Sequence, residues 1–185
     1  MVTAFCWARE MKTKTVRILI IVVLLALIGL FWWAHHSSSQ LASGATADSI
    51  LVEKAARTLT LYQGTNVLQQ YCVALGRNPV GDKEREGDKK TPEGIFAIDK
   101  RKLDSSFHLA LHVSYPDDTH TAKARAKGVS PGGDIMIHGI RNGLSWMGKM
   151  HRWVDWTAGC IAVTDWEIEE IAKAVPDGTR IEIRP

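Results

Sequence analysis

Two short stretches of this chain carry side chains that could do chemistry together. The first, Asp134-Ile-Met-Ile-His138-Gly139, is an apolar run ending in an imidazole and a glycine. The second, Asp155-Trp-Thr-Ala-Gly159-Cys160-Ile-Ala-Val, ends in a small-residue turn and a thiol, then runs apolar again. A thiol beside an imidazole base is a nucleophile suited to acyl transfer. The thiolate is the reactive form, and it needs a neighbouring base or electropositive surroundings. Twenty-one residues lie between His138 and Cys160, so only folding can bring the two together. No Asp or Asn flanks His138, and a backbone carbonyl such as that of Gly139 is the expected orienter of its ring. Gly159 lets the backbone turn sharply beside the thiol. The amides of Gly159 and Cys160 are then expected to face a developing oxyanion. The bland alternative is a core thiol and a satisfied buried histidine.

The elements that must position this pair follow from composition and periodicity. A chain of 185 residues suits one domain plus a terminal segment. Its net charge of +3 sits entirely in residues 1–35, where Arg9, Lys12, Lys14 and Arg17 face Glu10. The remainder balances 19 basic against 19 acidic residues, so it has no surplus to neutralise phosphates, and nucleic acid is not an expected partner. Three cysteines, Cys6, Cys72 and Cys160, form no CxxC pair and no zinc-like spacing. No metal or cofactor is expected.

Residues 18–34 hold no charged side chain, are just long enough to cross a bilayer, and end in Trp32 and Trp33, where an interfacial belt belongs. Basic residues precede them. The expected arrangement is a cytoplasmic segment over 1–17, an inner-membrane anchor over 18–34, a flexible Ser/Ala/Gly-rich linker over 35–48 and an exported domain over 49–185. A cleaved signal is the alternative, with Ala45-Thr-Ala47 as its small-x-small site. The tandem His35-His36 reads as solvated linker.

Within the domain, alternation predicts strands at 50–52, 58–62, 67–75, 95–98, 107–115 and 134–138, and a closing strand at 179–184. Gln63 to Asn66 is the turn of a hairpin. Cys72 is expected to be a small buried apolar residue. Residues 76–94 form a polar loop fixed by Gly and Pro. A brief helix fits 122–127, and a capping box at Thr164-Asp-Trp-Glu167 opens a second with Ile168, Ile171, Ala172 and Val175 as its stripe. Residues 142–155 are too irregular for a helix. Strands outnumber helices, so the expected fold is mostly β with few short helices, sandwich- or barrel-like.

The segments Ile137-His-Gly139 and Thr157-Ala-Gly-Cys160-Ile resemble the signature of the L,D-transpeptidase (YkuD-type) catalytic domain family. That signature is a strand ending His-Gly, a spacer, then Ser/Thr-x-Gly-Cys and an apolar residue. Lys90-Thr-Pro-Glu-Gly-Ile-Phe96 is similar to the family's upstream segment. The resemblance covers roughly residues 50–185. It implies a β-rich periplasmic domain acting on peptidoglycan stem peptides, with Cys160 as nucleophile, His138 as base, the Gly139 carbonyl as orienter and Thr157 near the oxyanion hole. Many members have His where this chain has Ala158, and Arg where it has Ala162; both positions bear on substrate and acceptor.

By that resemblance, Cys160 attacks the carbonyl of the third stem residue and expels the terminal D-alanine, and an amine or water then takes the acyl group. Both Cys72 and Cys160 are expected to stay reduced. Trp156, with His151 and Trp153, could wall a cleft, and Arg141 could attract a stem-peptide carboxylate; core packing and plain solvation are the alternatives. The rival functions are a hydrolytic carboxypeptidase or amidase using the same pair, a non-catalytic wall-binding module, and a metal hydrolase using His108, His112, His138 and His151.

Overall fold

The computed structural model describes residues 2–36 and 40–185. It falls into two units, a single long helix and the domain that follows. The helix, α1 (Val2–His35), contains one stretch, Lys14–His35, long and apolar enough to cross a membrane by length and composition. Of the expected linker, Ser37 to Ser39 lie outside the described residues.

The domain contains strands β1 (Ser49–Glu53), β2 (Thr58–Gln63), β3 (Asn66–Cys72), β4 (Gly94–Ser105) and β5 (His108–Val113). Helix α2 (Asp118–Ala126), β6 (Met136–His138), β7 (Ile161–Ala162), α3 (Asp165–Ala174) and β8 (Arg180–Arg184) follow. Mostly strand with few short helices, it matches the composition of elements the periodicity predicts. The eight strands form one sheet in the order β3-β2-β1-β8-β4-β5-β6-β7. β4 is the hinge of that sheet: its first residues pair with β8 and its later ones with β5, with register shifts after Ile98 and Lys102. Such irregularities bend a strand and increase its twist. The sheet curls until the segment after β3 meets β7 through an antiparallel bridge between Ala74 and Ala162. That contact gives the fold its barrel-like closure and brings residues 74–77 beside the turn that carries Cys160.

The core is apolar because the inward positions of β1, β2 and β8 alternate as strands require, placing Ile50, Leu59, Leu61, Ile181 and Ile183 inside. α3 lies on β5 and β6, burying Ile168 and Ile171; each such side chain contributes about 1.5–3 kcal/mol. The capping box holds as read, with the Glu167 carboxylate accepting from the Thr164 N–H at 2.9 Å.

Several expectations change. Residues 41–47 are not free linker: the Leu41 N–H donates to the Glu170 carboxylate (2.5 Å) and the Ala47 N–H to the Ala174 carbonyl (2.7 Å). Composition hid this because backbone donors need no particular side chain. Cys72 is exposed rather than buried, and it is a free thiol, as is Cys160. It occupies an outward position of β3, beside the inward Tyr71. The strand expected over 134–138 shortens to Met136–His138, because Asp134 adopts φ 53°. α2 begins earlier than expected because the Asp117 carboxylate accepts from the His120 N–H at 2.7 Å. The irregular 142–155 segment contains 3₁₀ turns at Ser145–Trp153, broken at Gly148 (φ 47°).

Gly76 marks the tightest approach behind the site. A Cβ there would lie 2.2 Å from the Lys89 carbonyl oxygen and 3.1 Å from the Gly159 Cα. We expect Gly76→Ala to lower unfolding stability by at least about 1–3 kcal/mol, measured by urea denaturation. An unchanged midpoint would show that the 76–89 approach can relax.

Candidate active site

The imidazole is placed by β6 and the thiol by the turn that enters β7. These strands run parallel, with Ile137 opposite Ile161 and His138 opposite Ala162. Cys160 immediately precedes β7 and by that register stands level with Met136, two residues before His138. At a rise of about 3.3 Å and a strand spacing of about 4.8 Å, the two backbones are about 8 Å apart, within the span of the side chains.

His138 is buried, and its Nδ1 lies 2.6 Å from the Gly139 carbonyl oxygen. A carbonyl can only accept, so Nδ1 carries the proton and Nε2 keeps its lone pair. The orienting peptide is itself fixed. The Gly139 N–H donates to the Leu109 carbonyl (3.2 Å), and the next amide, Ile140, donates to the Asp165 carboxylate (2.7 Å). A Cβ at Gly139 would sit 2.6 Å from Asp165 Oδ1, so a side chain there would displace the carboxylate that holds the Ile140 amide. Asp165 escaped the sequence reading because at the start of α3 it looks like an ordinary helix-dipole residue.

The thiol is half-buried and donates to the Asp134 carbonyl at 3.5 Å. Burial pushes the Cys160 pKa above its ordinary value, and the Asp134 charge adds to this; the Met136 amide and the Lys83 charge pull the other way without prevailing. Burial likewise depresses the His138 pKa, against the opposing pull of the Gly139 carbonyl. Both shifts favour the neutral forms, a thiol and an imidazole.

The turn is cinched by Thr157. Its hydroxyl donates to the Cys160 carbonyl (2.7 Å) and accepts from the Gly159 N–H (3.1 Å). The Gly159 amide is thus already engaged, which corrects the expectation that it faces an oxyanion; the Cys160 amide is the remaining donor of the pair. Gly159 has φ 142°, and a Cβ there would lie 2.7 Å from the Lys90 carbonyl oxygen, so the position excludes a side chain on both grounds. Lys90 belongs to the Lys90–Phe96 segment, which acts here as a brace. Thr91 Oγ1 accepts from the Gly76 N–H (3.1 Å), and the buried Lys54 ammonium binds the Thr91 carbonyl and the Glu93 carboxylate. On the other side, the Asp155 carboxylate takes the Leu75 N–H (2.8 Å) and the Arg57 guanidinium.

Aromatic rings wall His138. Phe107 lies 4.5 Å from it and Trp156 5.7 Å, centroid to centroid. Trp156 is half-buried, so it faces the site as well as the core. Trp153, by contrast, is exposed. Arg141 is exposed on the connection after His138, and no hydrogen bond of the cluster uses its guanidinium. The four histidines of the metal reading do not converge. His108 meets Glu169, His112 meets Asp99, His138 meets Gly139 and His151 meets Trp156.

Comparison with known proteins agrees with this geometry. Residues 47–183 match the family model described as the L,D-transpeptidase catalytic domain, YkuD. The Escherichia coli (strain K12) protein named "Putative L,D-transpeptidase YafK" is 30% identical over 132 residues, covering 68% of this chain and 46% of its own length. The chain spans about half the length of that relative. The helical cell shape determining protein Pgp2 of Campylobacter jejuni is similar in fold, with a TM-score of 0.56, 22% identity, and coverage of 83% of this chain and 53% of its own.

A neutral resting thiol has a kinetic signature. With its pKa above the ordinary value, Cys160 is mostly thiol at neutral pH. Iodoacetamide alkylation of Cys160, followed by peptide-resolved mass spectrometry to separate it from exposed Cys72, should keep rising from pH 6 to 8.5. A fast plateau near neutral pH would mean a preformed ion pair.

Proposed function

The chain belongs to the YkuD family of L,D-transpeptidase catalytic domains, and from that premise we propose that its domain is a cysteine acyltransferase acting on peptidoglycan stem peptides. The observation that carries this reading is the tautomer of His138. With Nδ1–H held by the Gly139 carbonyl, the Nε2 lone pair is left free to take a proton from Cys160.

Sγ attacks the carbonyl carbon of the third stem residue while its proton passes to Nε2 of His138. The C–N bond to the terminal D-alanine breaks, and the Nε2 proton goes to the departing amine. A thioester on Cys160 remains. An acceptor amine or water then attacks the thioester carbonyl, gives its proton to Nε2, and the sulfur leaves as a thiol. The Cys160 amide is the donor available to the oxyanion in both halves. Gly139 orients the base, and Gly159 and Thr157 hold the turn. Trp156 walls the pocket and Arg141 offers a cation to a stem carboxylate at its rim.

The apolar stretch of α1 supports an inner-membrane anchor with the domain in the periplasm, where stem peptides lie. It is equally of the length of an export signal. The fold shared with Pgp2 supports a part in cell-shape maintenance through the wall.

Incubation with a tetrapeptide stem, and separately with a carbapenem, should give a covalent adduct at Cys160 by intact mass. Cys160→Ser should abolish the adduct, and His138→Ala should slow its formation about 10²–10⁴-fold. Adding an amine-bearing second stem should yield the cross-linked product. Adducts that persist in Cys160→Ser would sink this mechanism.

A further inference from the structure

His151 is a buried imidazole that the mechanism above does not use. It sits on the 3₁₀ segment just past the break at Gly148 and is 3% exposed. Its Nδ1 accepts from the Trp156 indole N–H at 3.3 Å. An indole nitrogen can only donate, so Nδ1 is unprotonated and the ring proton lies on Nε2. That Nε2 is buried and has no hydrogen-bond partner. An unmet buried donor is costly, and an apolar side chain of similar volume would avoid it. The hydrogen bond to Trp156 is the one polar interaction that the imidazole makes in return. Trp156 meets both histidines edge-on, at 6.3 Å and 83° from His151 and at 5.7 Å and 67° from His138.

We propose that His151 is a positioning residue, which fixes the Trp156 indole by accepting its N–H and thereby holds the ring of His138 in the plane set by Gly139. This rests on the reading of His138 as the base. Two constraints then act on that imidazole. The Gly139 carbonyl fixes its tautomer from one side, and the indole limits its rotation from the other. The bond requires a neutral acceptor, and burial, with the Arg152 charge, drives the His151 pKa down to about 3. The acceptor lone pair is therefore present throughout the working pH range.

The test uses the full chain and the rate of carbapenem acylation of Cys160, with thermal stability recorded for each variant. His151→Leu removes the acceptor. His151→Asn keeps an oxygen where Nδ1 stands. Trp156→Phe keeps an aromatic ring but removes the donor. We expect His151→Leu and Trp156→Phe each to slow acylation about 10–100-fold, with the half-saturating concentration within about threefold of wild type. His151→Asn should recover most of the rate. The double variant His151→Leu/Trp156→Phe should be no slower than the slower single one, since both remove the same bond.

Wild-type rates in His151→Leu would overturn the proposal, as would multiplicative losses in the double variant or an Asn variant as slow as Leu at equal stability. If His151→Leu does not fold, the Asn and Trp156→Phe variants decide alone: the proposal requires a fast Asn and a slow Phe. A wild-type chain that forms no adduct removes the acyltransferase reading and this one with it, whereas an active wild type with indifferent variants removes only this one.

Discussion

The site depends on one hydrogen bond, from Nδ1–H of His138 to the carbonyl of the residue after it. A side chain bonded to its neighbour's backbone gains little from sequence proximity alone, since the peptide could rotate. Here it cannot. The Gly139 amide is held by β5 and the Ile140 amide by the first residue of α3, so the carbonyl between them has one direction left. A helix on one face of the sheet and an interior strand thereby set the tautomer of an imidazole. A backbone carbonyl, not a carboxylate, orients the ring.

The thiol is held by a different kind of constraint. Three backbone segments, 74–77, 89–91 and 155–159, approach one another so closely that Gly76 and Gly159 have no room for a Cβ. The buried ammonium of Lys54 and the carboxylate of Asp155 hold the outer two segments from below. Ordering this much irregular backbone carries an entropic cost, which hydrogen bonds to Thr91, Thr157 and Asp155 offset. The polar loop over 76–94 is thus structural at both ends, where Gly76, Lys90 and Thr91 brace the turn, and mostly exposed between them. Asp134, with its positive φ, holds its carbonyl against the resting thiol, a strained residue of the kind found where a reactive group is held.

Electrostatically the site is quiet at rest. Burial disfavours the charged forms of both partners. Cys72, by contrast, is exposed on the outward face of β3.

The amino-acid order determined most of the strands and the capped helix, and pointed to Cys160, His138, Gly139 and Thr157 as candidates, because local periodicity and short motifs depend only on neighbouring residues. It also carried the Gly139 carbonyl as orienter, since that residue adjoins the histidine. The tertiary structure alone decided what joins residues far apart in the chain. The closure at Ala74 and Ala162, the grip of Asp165 on the Gly139–Ile140 peptide, the loss of the Gly159 amide to Thr157 and the pairing of His151 with Trp156 belong to that class. So does the fate of Cys72, whose face on β3 follows from strand pairing that spacing cannot fix. A hydrogen bond between distant groups, and the burial that shifts a pKa, exist only after the sheet has curled; no periodicity in the chain encodes them directly.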